Sequence, residues 1–171
     1  MIASPGTLSP SHPTRGRILA IDYGRRRIGL ALSDALELTS QPLATLVRTN
    51  RRNDLRRLRE IVRRHEVRRI VVGRPIHLDG SASEMAAEAA RFAARVGKEL
   101  RLPVELVDER LSSWEAGEIL AAAKGLSRKR RGESRRRGGR GRRQDAGSID
   151  QIAAAVILRE YLERSRKQAT E

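Results

Sequence analysis

No cysteine occurs among the 171 residues, which excludes disulfides, zinc–thiolate centres, iron–sulfur clusters and a cysteine nucleophile. Histidine is nearly as scarce: His12, His65 and His77 are scattered and lack the spacing of a metal-ligand set. Aromatic residues make up 2% of the chain (Tyr23, Phe92, Trp114 and Tyr161), too few for a stacking platform on single-stranded nucleic acid. No run approaches the roughly 18 apolar residues of a membrane helix. The opening MIASPGTLSPSHPTRGR lacks the apolar stretch of a signal peptide. There is no GxxxxGKS or GxxxxGKT phosphate loop. A cytoplasmic protein without a membrane partner is expected.

Positive charge is what the chain has in excess. Lysine and arginine number 36 against 21 acids, a formal charge of +15. A domain this basic attracts polyanions such as nucleic acid or the ribosome surface. Residues 124–143 hold eleven lysines and arginines against one acid, Glu133, and so supply +10 of that charge. Gly132, Gly138, Gly139 and Gly141 disfavour a helix there. The stretch 124–147 therefore reads as a basic loop, disordered or ordered on binding. Arg128, Lys129, Arg130, Arg131, Arg135, Arg136 and Arg137 are its candidate nucleic-acid contacts. The bland alternative is a solvated charge run.

Length predicts one domain, at roughly 150 residues each. It is too short for a duplicated two-domain NTPase. Residues 1–16, with Pro5, Pro10 and Pro13, read as a disordered tail, 17–164 as the folded domain, and 165–171 as a C-terminal tail. Ile18–Ile21 and Ile28–Leu32 read as a hairpin, with Gly24 supplying unusual backbone angles to its turn. A third strand is expected near Ala44–Val47, after Pro42. Asn53 caps a predicted helix through His65, and Arg69–Gly73 forms a fourth strand. Ser81 with Glu84 opens a helix to about Leu100, and Pro103–Val107 is the fifth strand. Short helices follow from Ser112 and Ser148. Strands joined by tight turns should be antiparallel and those joined through helices parallel. The expected class is α/β: a mixed five-stranded sheet flanked by helices.

Three carboxylates stand where such sheets place chemistry. Asp22 ends the first strand, Glu109 ends the fifth, and Asp150 lies in the first turn of the last helix. Hard ions such as Mg²⁺ or Mn²⁺ take oxygen ligands, and clustered acids without a cation would repel one another. Such a set in a very basic protein points to metal-dependent phosphodiester hydrolysis, with Asp22, Glu109 and Asp150 as ligands and catalytic residues. Each also has an ordinary explanation: an Asx-turn for Asp22, an ion pair for Glu109, a helix-dipole preference for Asp150. Strand alternation points Asp108 and Glu109 to opposite faces, leaving open which is the second ligand. His77 and Asp79 read as turn residues, and Tyr23 and Trp114 as packing residues.

Four blocks in order resemble the YqgF/RuvX family. They are Ile21-Asp22-Tyr23-Gly24 with Arg27-Ile28-Gly29-Leu30-Ala31, and Val72-Gly73-Arg74-Pro75 with Asp79-Gly80-Ser81. Next come Asp108-Glu109-Arg110-Leu111-Ser112-Ser113 and Ser148-Ile149-Asp150-Gln151-Ile152-Ala153-Ala154. The resemblance covers about residues 17–162. It implies an RNase H-like fold and a cytoplasmic bacterial nuclease processing the 5′ end of pre-16S rRNA. It implies an acidic site at Asp22, Glu109 and Asp150. The family usually has Leu where Arg74 stands, Thr where Ser113 stands, and a shorter basic stretch before its last aspartate.

Two enzyme readings follow: a nuclease on precursor rRNA, and a Holliday-junction resolvase acting on branched DNA. The resolvase should be a symmetric dimer, because a four-way junction needs two cuts; otherwise monomer and homodimer stay open. A non-catalytic RNA-binding ribosome-assembly factor is the third reading, against which three carboxylates argue, since acids repel phosphate unless a metal intervenes. An actin-like phosphotransferase would need a second domain.

Overall fold

Strand β1 (Arg17–Tyr23) buries both of its faces: Ile18, Leu19, Ala20 and Ile21 have no exposed surface. A strand apolar on both faces must lie centrally under two layers, and β1 does. It pairs antiparallel with β2 (Arg27–Ser33) and parallel with β4 (Val67–Arg74). β3 (Ser40–Val47) lies antiparallel outside β2, and β5 (Val104–Asp108) lies parallel outside β4. The sheet order is β3-β2-β1-β4-β5, the mixed five-stranded sheet flanked by helices that the sequence predicts. This computed structural model describes residues 16–74, 84–108 and 141–170.

Helices α1 (Arg51–Arg64) and α2 (Glu84–Leu100) cover one face. Leu55 and Leu58 of α1 and Phe92, Ala93 and Val96 of α2 pack on Leu19, Ile21, Leu30, Ile70 and Val72. Helix α3 (Gly141–Thr170) covers the other. Its Ala154, Ile157, Leu158, Tyr161 and Leu162 pack on Ile18, Ala20, Ala31, Val71 and Val107. Odd positions of β1 thus face α1 and α2, and even positions face α3, so Asp22 falls on the α3 side.

Several boundaries differ from the sequence expectation. Asn50, not Asn53, caps α1: its extended backbone lets Oδ1 accept the Asn53 N–H at 2.9 Å. Asp54 reinforces that end, accepting from the Thr49 N–H (3.1 Å) and from Arg48 (3.3 Å). β3 begins at Ser40 rather than near Ala44, because an edge strand tolerates Pro42 on its unpaired side. Gly24 does not take a left-handed conformation. Its constraint is close approach, since a Cβ there would lie 2.4 Å from the Arg27 carbonyl oxygen.

α3 starts seven residues before Ser148, inside the expected basic loop, and Gly147 within it costs about 1 kcal/mol without breaking it. α3 also runs on through residues expected as a C-terminal tail. Ser165 Oγ bonds the Tyr161 carbonyl at 3.0 Å, and Arg166 reaches the Leu38 carbonyl, tying down the final turns. The expected N-terminal tail, the helix from Ser112, His77, Asp79 and Trp114 lie outside the described residues.

Candidate active site

Asp22 sits one residue before the end of β1, in register opposite Gly29 of β2. α3 crosses the sheet at that glycine. A Cβ on Gly29 would lie 1.9 Å from the Asp150 carbonyl oxygen, so only the missing side chain lets the helix seat. This contact brings Asp150 beside Asp22. The sequence assigns these two acids to one site, and the fold brings them together.

The pair is electrostatically strained. Burial, and then the negative charge of Asp150, push the Asp22 carboxyl up to about 6. Among the described residues no cation faces Asp22. Burial also raises Asp150, opposed by Arg27. Arg27 Nε stands 2.7 Å from Asp150 Oδ2, a close ion pair. That oxygen is buried, and the Arg27 contact, though short, is poorly aligned as a hydrogen bond. Two partly desolvated carboxylates side by side suit a hard divalent cation, which takes oxygen ligands and offsets their repulsion.

Asp108, the alternative to Glu109, is committed elsewhere. Its register partner across the β4–β5 pair is Arg74, whose Nε and terminal nitrogen both bond Asp108 Oδ1, at 2.8 and 2.6 Å. Arg74 is thus part of an ion pair at the sheet edge rather than a free cation. Glu109 and the seven basic candidates from Arg128 to Arg137 lie outside the described residues. Among the described residues no group of three acids or histidines could hold a metal. Tyr23 packs as expected: its ring tilts on Phe92 at 5.0 Å, and its hydroxyl meets Glu88 and Arg48.

Residues 16–164 match the family model described as "RuvX: Holliday junction resolvase". The chain belongs to the RuvX family. A relative from Koribacter versatilis (strain Ellin345), named "Putative pre-16S rRNA nuclease", is 44% identical over 149 residues, covering 87% of this chain and 88% of its own. A relative of the same name from Syntrophus aciditrophicus (strain SB) is 40% identical over 147 residues, covering 86% of this chain and 88% of its own. Among solved structures, Thermus thermophilus RuvC is similar over 87% of this chain and 96% of its own, with 14% identity and a TM-score of 0.49. The chain is a nuclease, a hydrolase of phosphodiester bonds.

Sequence reasoning misses two residues that shape this candidate site in the RuvX-family chain, Arg27 and Gly29. The signal for them is hairpin register. Counting outward from the Arg25-Arg26 turn sets Gly29 opposite Asp22, and the two-residue strand period sets Arg27 on the same face. What register cannot supply is the crossing of α3 at Gly29, a contact between segments more than a hundred residues apart in sequence.

Proposed function

We propose that Asp22, Asp150 and Glu109 together hold Mg²⁺ or Mn²⁺ and cleave RNA at the 5′ end of pre-16S rRNA. The observation that carries the reading is the seating of Asp150 over Gly29. It leaves the raised Asp22 carboxyl and the buried Asp150 oxygen side by side. A bound divalent ion supplies phosphate polarisation and a water of lowered pKa as nucleophile.

The protein's own groups do the rest. Asp22 stands on the central strand and Asp150 on the helix packed against it at Gly29. Arg27 offsets the negative charge of Asp150 and stands ready to face a phosphate oxygen. Glu109 is favoured over Asp108 because Asp108 is bonded to Arg74. Glu105 and Val107 face α3, Glu105 accepting from the Tyr161 hydroxyl at 2.9 Å.

The curated names of the relatives support precursor rRNA as substrate, with the ribosome as the setting. The cytoplasm is the expected location; no described helix is long and apolar enough to cross a membrane. The basic residues Arg128–Arg131 and Arg135–Arg137 would hold the RNA backbone. The test is cleavage with and without Mg²⁺ or Mn²⁺, on a precursor-16S fragment and on a four-way DNA junction side by side. Metal-dependent cutting of the RNA is expected. Cutting of the junction alone would replace this reading with the resolvase, and no cutting of either would overturn it.

A further inference from the structure

The charge of this chain sits in two places only. Seven arginines against Asp54 and Glu60 give α1 a net +5. With the +10 of residues 124–143, that accounts for the whole +15, so the remainder of the chain is balanced. The site reading uses only the second of these concentrations.

The arginines of α1 are ordered. Arg52, Arg56, Arg59 and Arg63 follow a 4-3-4 spacing, which aligns them on one helical stripe about 16 Å long. The buried side of the helix, Asp54, Leu55 and Leu58, lies away from it. Arg52, Arg56 and Arg63 are exposed, and among the described residues none of them has an ion-pair partner; Arg56 only donates to Asn53 Oδ1, at 2.7 Å. Arg59 lies 3.7 Å from Glu99, a pair in which both side chains are largely open to water.

The stripe works against its own helix. Arg52 and Arg56, and Arg59 and Arg63, are like charges four residues apart, which repel. Arg51 and Arg52 occupy the first turn, where the helix dipole favours acids. Glu60, four residues after Arg56 and three before Arg63, offsets part of this, and the last turn suits Arg63; five net positive charges remain on the helix. An external polyanion would offset them.

The stripe also begins at the same end of the sheet as the site, on the opposite face. β3 ends at Val47, paired with Arg27, and α1 opens four residues later. Arg48 joins them, its N–H bonding the Arg26 carbonyl at 2.9 Å and its guanidinium the Gly24 carbonyl at 3.0 Å. The turn holding Arg26, exposed, directly follows Asp22 and Tyr23 in sequence.

We infer that the arginine stripe of α1 is a second RNA-docking surface, which grips the sugar–phosphate backbone of the substrate where it leaves the Asp22–Asp150 site over the Arg25-Arg26 turn. This rests on the nuclease reading above. It adds a track that fixes the flank of the substrate and reads no bases, since arginines at this spacing meet phosphates rather than base edges.

The experiment measures binding of a precursor-16S fragment against salt in an Asp22→Asn background, with R52Q/R56Q/R63Q on top. Each lost phosphate contact should lower the log–log salt slope by about 0.7 on single strands or 0.9 on duplex. The triple variant should therefore lose about 2 units of slope and bind on the order of 50-fold more weakly at 0.15 M salt. R52K/R56K/R63K should restore both, because lysine keeps the point charge. The control R159Q/R164Q/K167Q removes the same charge from α3 and should leave the slope within half a unit of the parent. An unchanged slope in the α1 triple, with its helix content intact by circular dichroism, overturns the docking surface. So does an equal loss in the α3 control, which would make the effect one of net charge. Cleavage by the Asp22→Asn parent itself would instead sink the site assignment, so the two failures are distinguishable.

Discussion

Gly29 and Asp150 touch backbone to backbone: a Cβ at position 29 would come within 1.9 Å of the Asp150 carbonyl oxygen and 2.4 Å of its carbon. The helix that delivers the second carboxylate is therefore seated by the absence of a side chain on the strand opposite Asp22.

Gly29→Ala should force α3 off the sheet at this point. The neighbour is main chain and cannot rotate away, so the cost should reach about 3 kcal/mol, the upper end for overpacking. A shift of about 1 Å in Asp150 should lower cleavage roughly 100-fold. Gly97→Ala is the control, since its Cβ would meet a Val104 methyl at 3.2 Å. Thermal denaturation and initial cleavage rates of both variants decide the matter; a Gly29→Ala protein with parental values would refute the seating argument.

Asp22→Asn should move stability and activity in opposite directions. Removing a buried charge that faces Asp150 should raise the stability of the metal-free protein above neutral pH by about 1–3 kcal/mol. Cleavage should fall roughly 100-fold or more. Denaturant midpoints without metal and turnover with it give the two readings. Parental turnover in Asp22→Asn, with contaminating nuclease excluded, would remove Asp22 from the mechanism.

The pH dependence should run against the usual carboxylate pattern. The folded Asp22 carboxyl titrates near 6, above the ordinary 3.8. Its neutral form is the one the fold favours, so its contribution is fully present below about pH 4 and lost as pH rises to about 6. In metal-free protein the parent should fall behind Asp22→Asn over that window, with the gap constant above it. Metal requires the ionised form, so metal affinity should weaken as pH falls below 6. A gap that does not change between pH 4 and 7 would show that Asp22 is not raised.

Asp108→Asn should leave cleavage near the parental rate. It breaks an ion pair with Arg74 in which both side chains are around two-fifths exposed, worth at most about 1 kcal/mol. Glu109→Gln should reduce cleavage as severely as Asp22→Asn. The reverse result would make Asp108 the second ligand, with Arg74 released on metal binding.

Replacing residues 124–140 with a short neutral linker should flatten the salt dependence of RNA binding and raise KM, leaving kcat at saturation nearly unchanged. Arginine and glycine in this proportion bind phosphate without building a fixed pocket. A large loss of kcat with normal binding would show instead that this segment positions Asp150.

The central strand, the parallel and antiparallel relations of its neighbours, and both described carboxylates were legible in the sequence. They rest on local rules: unbroken apolar runs, helix-cap residues, and acids at strand ends and helix starts. Errors fell where a local signal was balanced, as between Asn50 and Asn53 for the α1 cap, or where a distant contact overrode it, as in the last turns of α3. That Asp108 is taken by Arg74 needed the register of β4 against β5.

The sequence by itself determined the α/β fold class and, through four motif blocks, the nuclease family, because composition and short-range patterning decide burial, charge and chain direction. Only the tertiary structure decided that Gly29 is the seat of Asp150, that Arg27 faces the same carboxylate, and that the arginines of α1 begin beside the β1–β2 turn. These depend on where a helix more than a hundred residues away crosses a sheet, and on which face a helix leaves uncovered. Such contacts are set by the packing of whole elements and leave no mark on neighbouring residues in the chain.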